Sequence, residues 1–403
     1  MSQIDKDSLA TLEFDVKWRS DLGRHRERYL AQNVNFWRDL FPSKLSRALM
    51  GAGEGDRIQA GFSPGEVIGP YRPDRVFKIK GTQFDRRRIN GRKIEPHYGR
   101  FYPKGMLKDM PGIYRINVQP FRCVGVGEDQ LSVDFNHPMA KYGVEVEVTV
   151  HEIRDKRSDK GGRLTDWIEE VTEGPGMQIR TNGKPTDFFS KGAFVRNDEG
   201  RDPVFYEKAR LVHHIDAQAR THVSELYRGI LSSDMAVLDL MGSWQSHLPE
   251  SVPLSSVIGL GLNGQEMARN RDLTGYKVHD LNEAPRLPFE DGCFDAVLCA
   301  VSVEYLSRPF EAFRDVARVL KPGGLFVNTF SNRWFPSKAI AVWSELTDFE
   351  RMGLVGEYFM ESGAFGNLKT YSARGWPRPE DDRYYGETPM SDPLYAVWAE
   401  KLG

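Results

Sequence analysis

Two kinds of hydrophobic patterning divide the chain. Residues 9–18 (LATLEFDVKW) alternate apolar and polar positions, the period of a strand buried on one face. Residues 121–126, 130–135 and 144–153 are rich in Val and aromatics, and Gly127-Glu128-Asp129 supplies a hairpin turn between the first two. Leu45 and Leu49, followed by GAGEGD, predict a short helix ending in a turn. The N-terminal half therefore reads as a small antiparallel sheet with a short helix, an α+β arrangement.

From residue 235 the pattern changes to short continuous apolar runs: MAVLDL (235–240), SSVIGL (255–260), YKVHDL (276–281), FDAVLCA (294–300) and LFVNTF (325–330). Helical spacing appears in GQEMARN (264–270) and PFEAFRDVARVL (309–320), the latter followed by the turn KPGG. Strands alternating with helices predict a doubly wound α/β fold around a parallel sheet. Such sheets bind ligands at the carboxyl ends of their strands, so the loops after Asp239, Gly261, Asp280 and Ala300 should line one cleft.

Between these patterns the chain turns polar and glycine-containing (IRDKRSDKGGR, then GPGMQIRTNGKPTDFF). The division is residues 1–153, a connector at 154–202, and 203–403, with the two halves expected to fold independently. Residues 203–231 show helical spacing with Pro203 near the start, so a helix is predicted there. It carries Arg210, His213, His214 and Asp216, an acid–base candidate group or the polar face of a solvated helix.

A length of 403 residues fits two or three domains, and 40% hydrophobic with 28% charged residues is ordinary for a folded soluble chain. The formal charge of −2 offers no bulk attraction to nucleic acid or anionic lipid. A local basic cluster, Arg86, Arg87, Arg88, Arg92, Lys93 and Arg100 around Asn90-Gly91, has no interleaved aromatic residues and reads as a solvated loop. No nucleic-acid partner is expected.

The start MSQIDKDSLATLEF lacks a basic segment followed by an apolar one, and no apolar run reaches the roughly 18 residues that span a bilayer. A cytoplasmic protein without a membrane partner is expected. Cys123, Cys293 and Cys299 form no C-x-x-C pair, which argues against a disulfide framework or zinc site. Asp134, Asn136 and His137 are possible ligand types, but nothing nearby completes a shell, so no metal is expected.

Several N-terminal segments resemble the SlyD-type FKBP prolyl isomerases, whose half-barrel carries an inserted flap. LSRALMGAGEGDRIQAGFSPGEVIGPYRPDRVFKI (45–79) is similar to that family's helix, G-x-x-x-G-D turn and tyrosine loop. YPKGML (102–107), LSVDFNHPMA (131–140) and VEVEVTVHEI (144–153) resemble its flap and return strand. The resemblance implies an FKBP-like domain that binds proline-containing peptides. Tyr71 matches the loop's second tyrosine, but Ile68 stands where the first is expected, which implies weakened isomerisation. Phe101, Tyr102, Tyr114 and Phe121 are offered as peptide-binding surface.

In the C-terminal half, residues 259–264 (GLGLNG) match G-x-G-x-x-G after a strand, with Asp280 about 20 residues on, as a dinucleotide site requires. Yet a strand with its own loop precedes them. VLDL (237–240), VHDLNEAPRLPFEDGCFDAVLCAVSVEYL (278–306) and RVLKPGGLFV (318–327) together resemble the class I S-adenosylmethionine-dependent methyltransferases of the type 11 group.

That resemblance implies a Rossmann-like domain with S-adenosyl-L-methionine as cofactor. Asp239 would close the first strand, Gly242 and Ser243 would let backbone approach the methionine part, and Asp280 with Leu281 would contact adenine. Read alone, Asp239 caps a helix and Gly242 turns the chain equally well. The loop after Asp239 has one glycine among bulky residues, and the expected ribose-holding acid falls at Gly261, leaving Asn263 as its substitute.

Glu304 and His247 are the candidate bases. Asn332, Arg333 and Trp334 are acceptor candidates, with packing under the last helix the other reading for Trp334 and Phe335. The acceptor, small molecule or protein, is open. The competing functional class is a peptidyl-prolyl isomerase, chaperone or binding protein whose methyltransferase domain has lost its chemistry.

Overall fold

The computed structural model describes residues 2–86, 88–89, 92–156 and 161–403. Its centre is one eleven-stranded sheet to which both halves of the chain contribute. The N-terminal strands are β1 (Ser8–Ser20), β2 (Gly23–Asn35), β3 (Arg57–Phe62) and β4 (Val144–Asp155), antiparallel in the order β2-β1-β4-β3. Helix α1 (Ser43–Leu49) buries Leu45 and Leu49, as its spacing predicts.

Between β3 and β4 the chain builds a separate four-stranded antiparallel sheet from Val76–Lys80, Phe101–Pro103, Pro120–Val126 and Gln130–Asp134. Phe84, Tyr102, Phe121, Leu131 and Val133 form its own small core.

The C-terminal strands are β5 (Ala236–Leu240), β6 (Ser256–Gly261), β7 (Gly275–Val278), β8 (Phe294–Ala300), β9 (Leu320–Phe330), β10 (Phe365–Arg374) and β11 (Leu394–Lys401). They lie in the order β7-β6-β5-β8-β9-β11-β10, parallel except for β11, which opposes both neighbours. The central runs β5, β6 and β8 are mainly apolar because both faces are covered, whereas β7 at the edge is largely exposed. Val237, Ala296 and Leu298 meet Ala219, Val223 and Tyr227 of α3 (Ala217–Ile230). Leu238, Val297 and Phe326 meet Phe313 and Phe359, from helices Pro309–Val319 and Asp348–Ser362.

The two sets of strands join where β2 pairs in parallel with β10, from Gly23 opposite Leu368 to Tyr29 opposite Arg374. Glu27, fully buried there, accepts hydrogen bonds from Ser372 Oγ, Gln178 Nε2 (3.1 Å) and Trp18 Nε1 (3.4 Å). Burial raises its carboxyl above the usual range.

The connector is packed rather than free. Trp167, Ile168 and Val171 on α2 (Trp167–Thr172), with Ile179, enter the N-terminal core, while Met177, Phe188 and Ala193 enter the C-terminal one. Arg180 forms a two-point ion pair with Glu357 (2.9 and 2.6 Å). The single helix expected over 203–231 is also corrected. A four-residue turn (Asp202–Phe205) precedes an irregular strap, and the helix starts only where the Asp216 carboxylate caps Ala219 N–H (2.8 Å).

Of the basic cluster, Arg87 and the Asn90-Gly91 turn lie outside the described residues. Arg86 and Lys93 pair with Glu95, whereas Arg100 is buried against Glu350 (3.3 Å) instead of solvated. Among the described residues no helix is long and apolar enough to cross a membrane.

Candidate active site

A cavity lies at the carboxyl ends of β5, β6, β7 and β8, where the strand pattern places it. Asp239 closes β5 with its carboxyl fully buried, accepting a hydrogen bond from Ser246 Oγ (2.6 Å). Burial pushes that carboxyl up to about 7. The loop that follows folds down onto β6: Gly242 N–H donates to Leu260 C=O (2.9 Å), and Asn270 Nδ2 donates to Ser243 C=O (3.0 Å) and Ser246 Oγ (2.9 Å). Met241 and His247, both at φ +58°, take the left-handed backbone this descent needs.

The descent explains Gly261. A Cβ there would sit 2.2 Å from the Gly242 carbonyl oxygen, so no side chain fits and the ribose-holding acid has no room. Asn263 lines the cavity with its amide already engaged. Its Oδ1 accepts from Gln265 N–H (2.9 Å) and Glu266 N–H (3.1 Å), while Nδ2 donates to the carbonyls of Tyr206 (2.8 Å) and Glu207 (3.2 Å). Its amide is thus a helix cap and a strap anchor.

The carboxylate on this side of the cavity is Glu266, which accepts from Ser243 Oγ and from Arg210 N–H, each at 2.6 Å. Sequence reasoning passed over it, although it is an acid in the first turn of the helix after the glycine-containing segment. Across the cavity, Asp280 Oδ1 caps the turn through Asn282 N–H (2.9 Å), and Leu281 is buried beside it. Asn282, also missed, ties Asp202 (2.8 Å) to the cavity wall.

The strap, residues 206–216, closes the mouth. Trp244 Nε1 donates to Val212 C=O (3.2 Å), and the rings of His213 and Trp244 lie 4.7 Å apart. His214 packs edge-on to Phe335 at 5.3 Å. Arg210, His213 and His214 line the cavity, whereas Asp216 is buried away from it with Ser391 and Arg378.

His247 faces the cavity, and burial holds its imidazole down at about 4, neutral at ordinary pH. Glu304 lies fully buried in the turn after β8, not itself on the cavity wall, its carboxyl oxygens without a geometric hydrogen-bond partner among the described residues. Burial pushes it up to about 8. The next residue, Tyr305, lines the cavity with Tyr206 and Phe335.

Asn332, Arg333 and Trp334 are not among the residues that line this cavity. Arg333 pairs with Asp392 (3.4 Å) and covers Tyr384, and Trp334 packs under Arg351 (4.2 Å to the ring). Phe335 is the member of that segment that reaches the cavity.

Four carboxyl-bearing residues, Asp202, Asp239, Glu266 and Asp280, line this cavity against one arginine, an acceptor set suited to a cationic ligand that donates from hydroxyl and amino groups. The family description "Methyltransferase domain" matches residues 241–328, which begin in the descending loop and run into β9. The C-terminal region carries a class I methyltransferase domain. S-adenosylmethionine, a sulfonium cation, is the cofactor of such domains, and the acidic cavity fits it.

A ubiquinone/menaquinone biosynthesis C-methyltransferase of Bartonella quintana is 34% identical over 101 residues, 24% of this chain and 37% of that protein. One from Chromobacterium violaceum is 36% identical over 78 residues, 19% of this chain and 31% of that protein. The chain thus spans about a third of these curated relatives' length. Among solved structures, a Haloferax volcanii complex of the Trm112 activator with a putative methyltransferase aligns at TM-score 0.33, with 17% identity over 46% of this chain and 91% of that one. An S-adenosylmethionine-dependent methyltransferase from Mesorhizobium loti aligns at TM-score 0.29, with 19% identity over 44% and 96%.

Proposed function

We propose that the chain methylates a small, flat acceptor with S-adenosylmethionine, using Glu304 to take the acceptor's proton. The observation that carries this reading is the fully buried Glu304 carboxyl, behind the cavity wall and one residue before Tyr305, whose ring lines the end of an acidic cavity. The cofactor supplies an activated methyl group on sulfonium sulfur. Asp280 and Leu281 hold its adenine, Glu266 replaces the missing acid at the ribose, and Asp239 positions the loop at Gly242 and Ser243 that receives the methionine part.

Tyr206, Tyr305 and Phe335 present rings to the acceptor, and the strap excludes water and large substrates. The matching relatives are named C-methyltransferases, and a carbon acceptor must lose a proton after alkylation. A carboxyl ionising at about 8 suits that task. His247, held neutral, lines the cavity itself and is the second candidate base. Calorimetry of the full-length protein with S-adenosylmethionine tests the reading: Asp280→Ala should weaken binding by about 1–3 kcal/mol. Asp280-dependent preference for NAD would overturn it.

For residues 1–153 we propose a SlyD-like peptide-binding module with weak isomerase activity. The separate sheet inserted between β3 and β4 supports it, as does the exposed series Tyr114, Ile116 and Val118. Of the surface offered by the sequence only Tyr114 is exposed, since Phe101, Tyr102 and Phe121 are buried. Ile68 packs against the core that the connector's Trp167 and Val171 help fill, which leaves little room for proline. Exchange NMR on a proline peptide should show binding with little acceleration; vigorous exchange would overturn this reading.

A further inference from the structure

A second concavity, ≈ 890 Å³, opens where β1, β2 and β10 run side by side beneath α3. Its floor carries Lys17, Arg19, Arg24, Arg26, Arg28 and Lys369. Strand register stacks like charge on like charge: Arg19 opposes Arg24, Arg24 opposes Lys369, and Lys17 opposes Arg26. Directly opposed like charges destabilise a sheet.

Acids answer only part of this row. Asp15 holds Arg26 (2.7 Å) and, more distantly, Lys17 (3.7 Å); Glu13 and Glu225 hold Arg28 (2.7 and 3.1 Å); Glu400 holds Lys369 (3.1 Å). Glu145 lines the groove opposite Lys17. The side chains of Arg19 and Arg24 make no hydrogen bond or close ion pair among the described residues, Glu400 acting on Arg24 only at longer range, and both are exposed into the groove.

The walls are shaped to admit a body as well as a charge. Leu226 and Ile230 of α3, Phe62 at the end of β3, and Tyr371 and Trp398 supply apolar surface. Gly61 and Gly229 also line the groove, and a Cβ on either would meet nothing within 4 Å. Glycine weakens both a helix and a strand, so two such positions without a packing reason mark space kept open.

We infer that this groove binds an organic anion, with a phosphate or carboxylate head between Arg19 and Arg24 and an apolar body along α3. Two guanidinium forks on adjacent strands match such a head, and the anion relieves the repulsion that the register imposes. The site draws on both halves of the chain and is separate from the methyltransferase cavity.

Titration calorimetry of the full-length protein with phenyl phosphate, benzoate and inorganic phosphate tests it. Phenyl phosphate or benzoate should bind at least about tenfold more tightly than inorganic phosphate, the tighter of the two identifying the head. Arg19→Gln with Arg24→Gln should cost at least about tenfold, more at low salt, with Arg24→Lys recovering part. Gly229→Leu should block the aryl probes while sparing inorganic phosphate. Absence of binding by both aryl probes, undiminished binding in the double variant, or loss of binding in Asp280→Ala would overturn the inference.

Discussion

The absent Cβ of Gly261 would lie 2.2 Å from the carbonyl oxygen of Gly242. The missing ribose acid is therefore a consequence of where the first loop runs, and the loop and the glycine form one adaptation. Gly261→Asp, designed to restore the usual acid, should instead push the loop off β6. The expected cost is about 1–3 kcal/mol of stability together with weaker S-adenosylmethionine binding. Thermal unfolding and calorimetry check this, and tighter binding in the variant would refute it.

Glu266 should behave as the substitute. Glu266→Gln keeps the size but removes the charge that receives Ser243 Oγ and Arg210 N–H. Loss of a charge-assisted hydrogen bond should weaken cofactor binding by about 1.5–3 kcal/mol. A variant that binds as tightly as the parent would remove Glu266 from the site.

Stability should fall as pH rises past neutrality. Glu304 and Asp239 ionise in the unfolded chain at their ordinary 4.5 and 3.8 but in the fold only at about 8 and about 7. Their contribution is complete below the unfolded values and lost as pH climbs through the folded ones. His25 and His247, held down at about 3 and about 4, act oppositely, but only as pH falls below about 6.5. The interval from about 6.5 to 8.5 therefore isolates the carboxyls. Urea midpoints should drop across it, and Glu304→Gln should flatten the drop.

Arg180 and Glu357 fasten the connector to the helix Asp348–Ser362. Glu357→Ala leaves the Arg180 guanidinium half-enclosed and should cost about 3–5 kcal/mol. The polar connector suggests halves that fold separately, whereas the shared sheet and this pair predict that residues 203–403 alone unfold at markedly lower temperature. Calorimetric scans of that fragment and of the intact chain decide between the two expectations.

Of the C-terminal strands, β5, β6 and β8 were legible because a run buried on both faces has few ways to be anything else, and FDAVLCA became β8 residue for residue, whereas β10 and β11 were not read. Strand β2 was not legible. Its inward positions carry His25 and Glu27, so the alternation that marks a strand is hidden among charges, and only the partners Thr370 and Ser372 show why polar groups are tolerated there. At the site, the strand ends placed the loops after Asp239, Gly261, Asp280 and Ala300 around one cavity, while Gly242 came only from the family resemblance. Glu266 and Phe335 followed from neither, since their roles depend on a strap whose path no local pattern encodes.

The composite sheet also settles a hazard that each half would face alone. A strand with unpaired amides and carbonyls is a template for another chain, and in a seven-strand arrangement β10 would be such a boundary, ten residues long. Pairing it with β2 hides both, and the outer boundaries of the joined sheet become β7, of four residues, and β3, of six. Fusion here doubles as protection against aggregation: the longest hydrogen-bonding rims are turned toward each other, and only the two shortest strands of the N- and C-terminal sets are left to meet neighbouring molecules.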